Sequence, residues 1–191
     1  MKHDQPARPP ERRTCAGGPS PVELTQILEG GDVAGTIRKG RLAVRRDPGN
    51  VALLEVLARA QWAACRYEDV LQTTHTLIRL LPSEPGYRLL QAMAYQAMGR
   101  FGLAVVTLRQ CLSETRSQAI HLRAEQMISD LEEIQTEAVR RLRSIDLVFD
   151  RDFRADPERA CRERGFELSW FVVPMPTDRP AAQTGYGLDR A

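Results

Sequence analysis

Four carboxylates stand close together near the C-terminal end of the chain: Asp146, Asp150, Asp152 and Asp156. Such a group could hold a cation or share a proton. A calcium loop, however, needs a glycine at its bend and a bidentate glutamate at its end. Here Arg151 and Arg154 intrude and no such glycine follows. The pattern reads as interleaved charge on a solvated helix end, with a regulatory subunit or small metal-dependent enzyme using Asp146–Asp156 as the alternative from another class. The histidines, His3, His75 and His121, form no HExxH pair and have no cysteine at ligand spacing. His75 reads as a solvated helix residue. Cys15, Cys65, Cys111 and Cys161 lie 50, 46 and 50 residues apart, too far for a zinc knuckle or a CxxC centre. No GxGxxG, GxxxxGK[ST] or GxSxG occurs, and Gly30-Gly31 reads as a hairpin turn. No enzyme, cofactor or metal is expected.

The charge is nearly balanced, +2 with 27% charged residues over 191. Lys2 and Lys39 are the only lysines, so the positive side is carried by arginine. Arg45-Arg46 and Arg140-Arg141-x-Arg143 sit at helix ends, where cations suit the dipole. A nucleic-acid domain shows a larger excess, so that partner is not expected. Cys65 and Cys111 read as small buried thiols, which suits a reducing compartment. The N-terminus lacks an apolar signal core and no 18-residue apolar run exists, so a cytoplasmic chain without a membrane partner is expected.

These side chains must be positioned by helices. Residues 1–20 are rich in proline, glycine and charge and read as a disordered arm. Ser20-Pro21 with Glu23 then starts a helix that Gly30-Gly31 breaks, and a second run carries Val33, Ile37, Leu42 and Val44 to Asp47-Pro48. Gly35 and Gly40 weaken that run by about 1 kcal/mol each against alanine. Two further units follow, roughly Val51 to Pro82 and Pro85 to Glu114. Pro48 and Pro82 lie 34 residues apart, as do the breaks Cys65-Arg66-Tyr67 and Gly99-Arg100-Phe101. A fixed period of this size marks stacked helix–turn–helix repeats. After Ser117 a longer run places Ile120, Ala124, Met127, Leu131, Ile134 and Ala138 on a heptad-like seam, resuming at Leu142 and Ile145 with Phe149 beyond. Asp156-Pro157 opens a short helix that stops at Gly165. An extended run follows with Phe166, Leu168, Trp170 and Val172 on one side. It either folds back on the long helix or joins a second subunit.

The period resembles the tetratricopeptide repeat (TPR). Ala92, Tyr95, Gly99, Phe101 and Ala104 match that family in order, with Cys111 at a small-residue position. Leu54, Leu57, Ala58, Tyr67 and Pro82 match in the looser first unit, where Cys65 replaces the turn glycine and Val70 a small residue. The resemblance implies an all-α, right-handed superhelix of antiparallel hairpins: two clear repeats, a degenerate N-terminal one, a long capping helix and a short extended appendage. The expected divisions are an arm (1–20), a helical domain (21–145), an appendage (146–176) and a disordered tail (177–191).

The resemblance also implies a non-enzymatic module that binds a partner peptide or helix on its concave face. The positions carried over are Glu55, Arg59 and Trp62 in the first unit and Leu89, Met93 and Gln96 in the second. Plain core is the competing reading of Leu89 and Met93. Glu55 and Arg59 depart from the family's carboxylate clamp, which uses Lys and Asn. An adaptor or scaffold is the leading expectation, and a dedicated secretion chaperone the alternative within binding. A homodimer through the long helix or the C-terminal segment is a further option.

Overall fold

The computed structural model describes residues 18–167, and every regular element among them is a helix. They run α1 (Pro21–Glu29), α2 (Val33–Arg46), α3 (Val51–Ala63), α4 (Tyr67–Leu80), α5 (Pro85–Ala97), α6 (Phe101–Glu114), α7 (Gln118–Ile145), α8 (Leu147–Ala155) and α9 (Pro157–Glu163). Most of the expected arm, the run from Leu168 through Trp170 and Val172, and the expected tail lie outside the described residues.

Local chemistry sets the helix starts. The Ser20 hydroxyl accepts from the Glu23 N–H at 3.2 Å while the Glu23 carboxylate accepts from the Ser20 N–H at 2.7 Å. That reciprocal pair satisfies two donors that a bare helix end would leave open. Asn50 does the single-sided version for α3 by accepting from Leu53 N–H. Prolines at the first turn of α1, α5 and α9 lose nothing, because those N–H groups have no intrahelical partner.

Each helix packs chiefly on its sequence neighbours, α1 on α2, α2 on α3 and so on through α7. The result is a TPR-like solenoid. Helices α2, α4 and α6 begin at Val33, Tyr67 and Phe101, a step of 34 each time. Two residues before each start the backbone turns left-handed: Gly31 (φ 86°), Cys65 (φ 54°) and Gly99 (φ 72°). Tyr67 and Phe101 therefore hold equivalent places, and the degenerate N-terminal copy keeps a complete hairpin in the same register. One of its glycines has a packing reason: a Cβ at Gly35 would overlap the Asp32 carboxylate that caps α2, whereas one at Gly40 would meet Leu57 at ordinary contact distance.

The core is a row of small clusters rather than one large one. Leu24, Ala43, Leu53 and Val56 join α1 to α3; Leu54, Leu77 and Tyr87 join α3 to α5. Ala92, Ala104, Leu108, Ala124 and Leu131 then join α5 and α6 to α7. Buried alanines at 58, 92 and 104 let the helix axes approach, and Cys111 fills a small-residue site as expected.

Cys65 is the exception among the thiols of the described residues. It is exposed, not a buried small residue, because it occupies the left-handed turn position instead of a crossing point. A side chain in that conformation costs roughly 1–2 kcal/mol. Cys65→Gly relieves it at a smaller entropic loss. The variant is expected to gain about 0.5–1 kcal/mol in urea unfolding, whereas Gly99→Ala should lose stability.

Helix α7 has 28 residues and is roughly 40 Å long, as the sequence implies. The heptad seam does not hold along it. Ala124 and Leu131 are buried, but Ile134 is 45% exposed, and the buried stripe passes to Gln135, Thr136 and Val139. The far half turns a different face inward because its cover is not α6 but α8 and α9. Helix α8 was not separated by sequence reasoning, which ran the seam on to Phe149. Asp146 ends α7 and caps α8, accepting from Phe149 N–H at 2.9 Å. Phe149 and Phe153, one turn apart, then meet with their rings tilted at 44° and centroids 5.9 Å apart, and close a cluster with Val139, Ala160 and Cys161.

Candidate functional site

The inner helices α1, α3 and α5 share one face and enclose a groove of about 660 Å³. Its walls are apolar where Val22, Val56 and Leu90 stand, and polar where Glu55, Arg59 and Tyr87 do. Tyr87 is fixed from below, its ring resting on Leu54 and Leu77. Its hydroxyl donates to Glu55 Oε1 at 2.6 Å. Burial first, and then the neighbouring Glu55 carboxylate, push the Tyr87 phenol well above its ordinary value. It stays a donor throughout the physiological range and holds Glu55 as an oriented acceptor.

Arg59 lies one turn from Glu55 on the same helix, a spacing that ordinarily makes an ion pair. Glu55 is directed to Tyr87 instead. Arg59 is exposed on the groove wall and has no ion pair among the described residues. The groove thus presents an unneutralised guanidinium beside apolar surface.

Of the residues singled out from the sequence, Glu55 and Arg59 come together in this groove. Trp62, one turn further, is half-buried and packs edge-on against Tyr67 at 5.3 Å. Leu89 is half-buried against the α5–α6–α7 cluster. Met93 and Gln96 are half-buried on α5, outside the groove lining. Tyr87 and Leu90 contribute from α5 in their place. The aromatic–aliphatic pair at i, i+3 was the available signal. Val22, Val56 and Leu90, which do line the groove, stand 34 residues apart and are equivalent in successive units, so its apolar wall follows the repeat register while Leu89, Met93 and Gln96 fall outside it.

The C-terminal carboxylates have structural work. Asp146 accepts from Phe149 N–H and pairs with Arg164 at 3.0 Å. Asp150 lies between Arg143 and Arg154, both at 2.9 Å or less. Asp152 pairs with Arg151, and Asp156 caps α9 through Arg159 N–H. Among the described residues no three acidic, histidine or cysteine side chains gather as a metal cage. The hydrogen bond from Arg143 is the main reason Asp150 titrates below the usual carboxylate range. A depressed carboxylate stabilises the fold above its unfolded-state value and loses that contribution as pH falls. The protection factors of the α8 amides, each taken against the intrinsic exchange rate at the same pH, are therefore expected to fall on acidification through and below the carboxylate range, while those of α3 and α4 hold; a uniform fall would count against this.

Phe166, the first residue of the expected docking run, packs against the cluster that α7, α8 and α9 share. Glu167 is then clamped by a fully buried side chain: Gln135 Oε1 accepts from its N–H at 2.8 Å and Gln135 Nε2 donates to its carbonyl at 3.3 Å. Leu168, Trp170 and Val172 lie outside the described residues.

No helix among the described residues is long and apolar enough to cross a membrane. No protein-family model matches the chain, and no curated protein matches it. Among solved structures it is similar to a thermophilic TPR protein of Thermus thermophilus, at 19% identity over 76% of this chain and 77% of that one, with a TM-score of 0.48.

Proposed function

We propose that the chain is a non-enzymatic interaction module that holds a peptide or helix of a partner protein in the groove of α1, α3 and α5. One observation carries this. Tyr87 draws Glu55 away from Arg59 and so leaves a fixed acceptor and an open cation side by side on an apolar shelf. Such a surface suits a segment with an acidic residue beside a large apolar one, the apolar anchor providing most of the affinity. Peptides selected from a random display library against the intact chain should carry that pairing. They should bind Arg59→Glu about tenfold more weakly, in line with loss of a partly desolvated charge pair. Selected binders indifferent to Arg59→Glu and Tyr87→Ala alike would place recognition elsewhere.

A dedicated chaperone for one exported partner is the second reading. The complete hairpin at α1–α2 supports it, since that family of chaperones ordinarily stacks three such units. Stoichiometric co-purification with a single exported protein from the native cell would distinguish it from a general adaptor.

A further inference from the structure

The arginines of this chain are treated unequally. At the C-terminal end nearly every one has an acid of its own: Arg143 and Arg154 hold Asp150, Arg159 holds Glu163 and Arg164 holds Asp146. Helix α2 is the opposite case, with five cations and no acid in 14 residues. A favourable dipole accounts for Arg45 and Arg46 in its last turn. It does not account for Arg38, Lys39 and Arg41 in the middle.

Arg38, Arg41 and Arg45 follow i, i+3, i+7 and so share one face of α2. They border a second groove, of about 520 Å³, closed on the far side by Ala63, Ala64 and Arg66. Its floor is apolar, and Leu42 stands there 50% exposed. One carboxylate reaches this rim: Asp69, which Arg41 contacts at 2.7 Å and Arg66 at 3.2 Å. Arg38 and Arg45 have no ion pair among the described residues. Asp69 shows that the rim takes a carboxylate, and the open pair shows that it can take more.

We propose that this outer groove is a second docking surface, separate from the concave one, for an acidic amphipathic helix of a partner protein. The floor takes the partner's apolar stripe and the arginines take the acids that flank it, the helix-in-groove mode of recognition. Neither terminus of the chain brings the acidic excess that these arginines would select. Residues 1–17 carry more Lys and Arg than Asp and Glu, and residues 168–191 carry two of each sign. A second copy is also a poor fit. On the outer face of α7, beside exposed Ile134, Glu137 is held by Arg140 and Arg141 and Asp130 by Gln126. A nucleic acid would find cations but no aromatic ring to stack its bases, and an apolar floor it cannot use.

The test uses the full chain and a fluorescein-labelled helical peptide with leucine at i, i+4 and i+7 and glutamate on the flanks. Fluorescence anisotropy should show saturable binding that is at least about tenfold weaker for the Glu→Gln peptide, for the Leu→Ala peptide and for a single-stranded RNA of equal charge. The double variant R38E/R45E should lose at least about tenfold, while R59E in the concave groove should not. These side chains are exposed, so the variant is expected to keep its helical circular dichroism; R38Q/R45Q serves if it does not. Equal binding of the Glu→Gln or Leu→Ala peptide, tighter binding of the RNA, or indifference to both double variants overturns the proposal. So does sedimentation of the intact chain as an oligomer that R38E/R45E dissociates, which would make a second copy the occupant.

Discussion

Leu77→Ala is expected to lower the unfolding free energy by about 2–5 kcal/mol in urea titration. The side chain is completely buried and meets Leu54 of α3 and Tyr87 of α5, so it joins three consecutive helices. Two effects add: the transfer of the lost methyl groups and the cavity left behind. The site cannot easily collapse, because α3 and α5 are each held by their other neighbours along the stack. In a solenoid, stability is a sum over units and the interfaces between them, and the interface is where Leu77 acts. A loss of that size is a large share of what a domain of ordinary stability has. The same change should also reach the concave groove, since Tyr87 rests on Leu77 and positions Glu55 through its hydroxyl. Groove-selected peptides should therefore bind Leu77→Ala more weakly even where it remains folded. A destabilisation under about 1 kcal/mol would mean that the three-helix contact is not the joint it looks to be.

How much of this was legible beforehand depends on whether the signal was local. The repeat was, because a turn that must go left-handed leaves its mark at one residue, and Gly99 and the Cys65 step stand 34 apart. Gly31 continues that spacing upstream. Gly35 and Gly40 obscured it, since by propensity alone they argue against a helix; Gly35 is required by its contact with the Asp32 cap, which no local rule reports. Glu55 and Arg59 could be placed on one face by helical spacing. That Glu55 turns to Tyr87 rather than to Arg59 could not, because it depends on how α5 sits against α3. Helix α8 was hidden for a different reason. Leu142, Ile145 and Phe149 keep a helical step across Asp146, and only the cap geometry of Asp146 shows that the chain bends there. The charges of the C-terminal end were equally opaque: a row of alternating signs reads the same whether its members neutralise one another, as here, or wait for a cation.

Gly102→Ala should unlock the C-terminal cap. A Cβ built on Gly102 would overlap the carbonyl oxygen of Gly165 and come within 3.4 Å of the Glu167 Cβ. Neither neighbour can give way. Gly165 is left-handed (φ 77°), and the Phe166 N–H behind it bonds back to the Cys161 carbonyl at 2.9 Å, closing α9. Glu167 is tied to Gln135 through both of its backbone groups and reaches Arg109 with its carboxylate. One methyl group must therefore lift residues 165–167 together, and Phe166 with them. The cost is that of overpacking a tight contact, about 1–3 kcal/mol, and it falls on the cap rather than on the repeats. Cys161 reports it. In the intact chain burial pushes this thiol up to about 11, so at neutral pH it is both shielded and protonated. In a Cys15→Ser background the expected order is rapid labelling of Cys65 and slow labelling of Cys111 and Cys161. Gly102→Ala should raise the Cys161 rate alone by about tenfold or more, as a locally weakened unit opens without the rest. An unchanged Cys161 rate, or an equal rise at Cys111, would show that the end of the chain is not held through Gly102. Gln135→Ala gives the complementary case. It leaves the Gly102 contact intact but removes the amide that pairs with Glu167, so it should loosen Cys161 in the same direction without any added bulk.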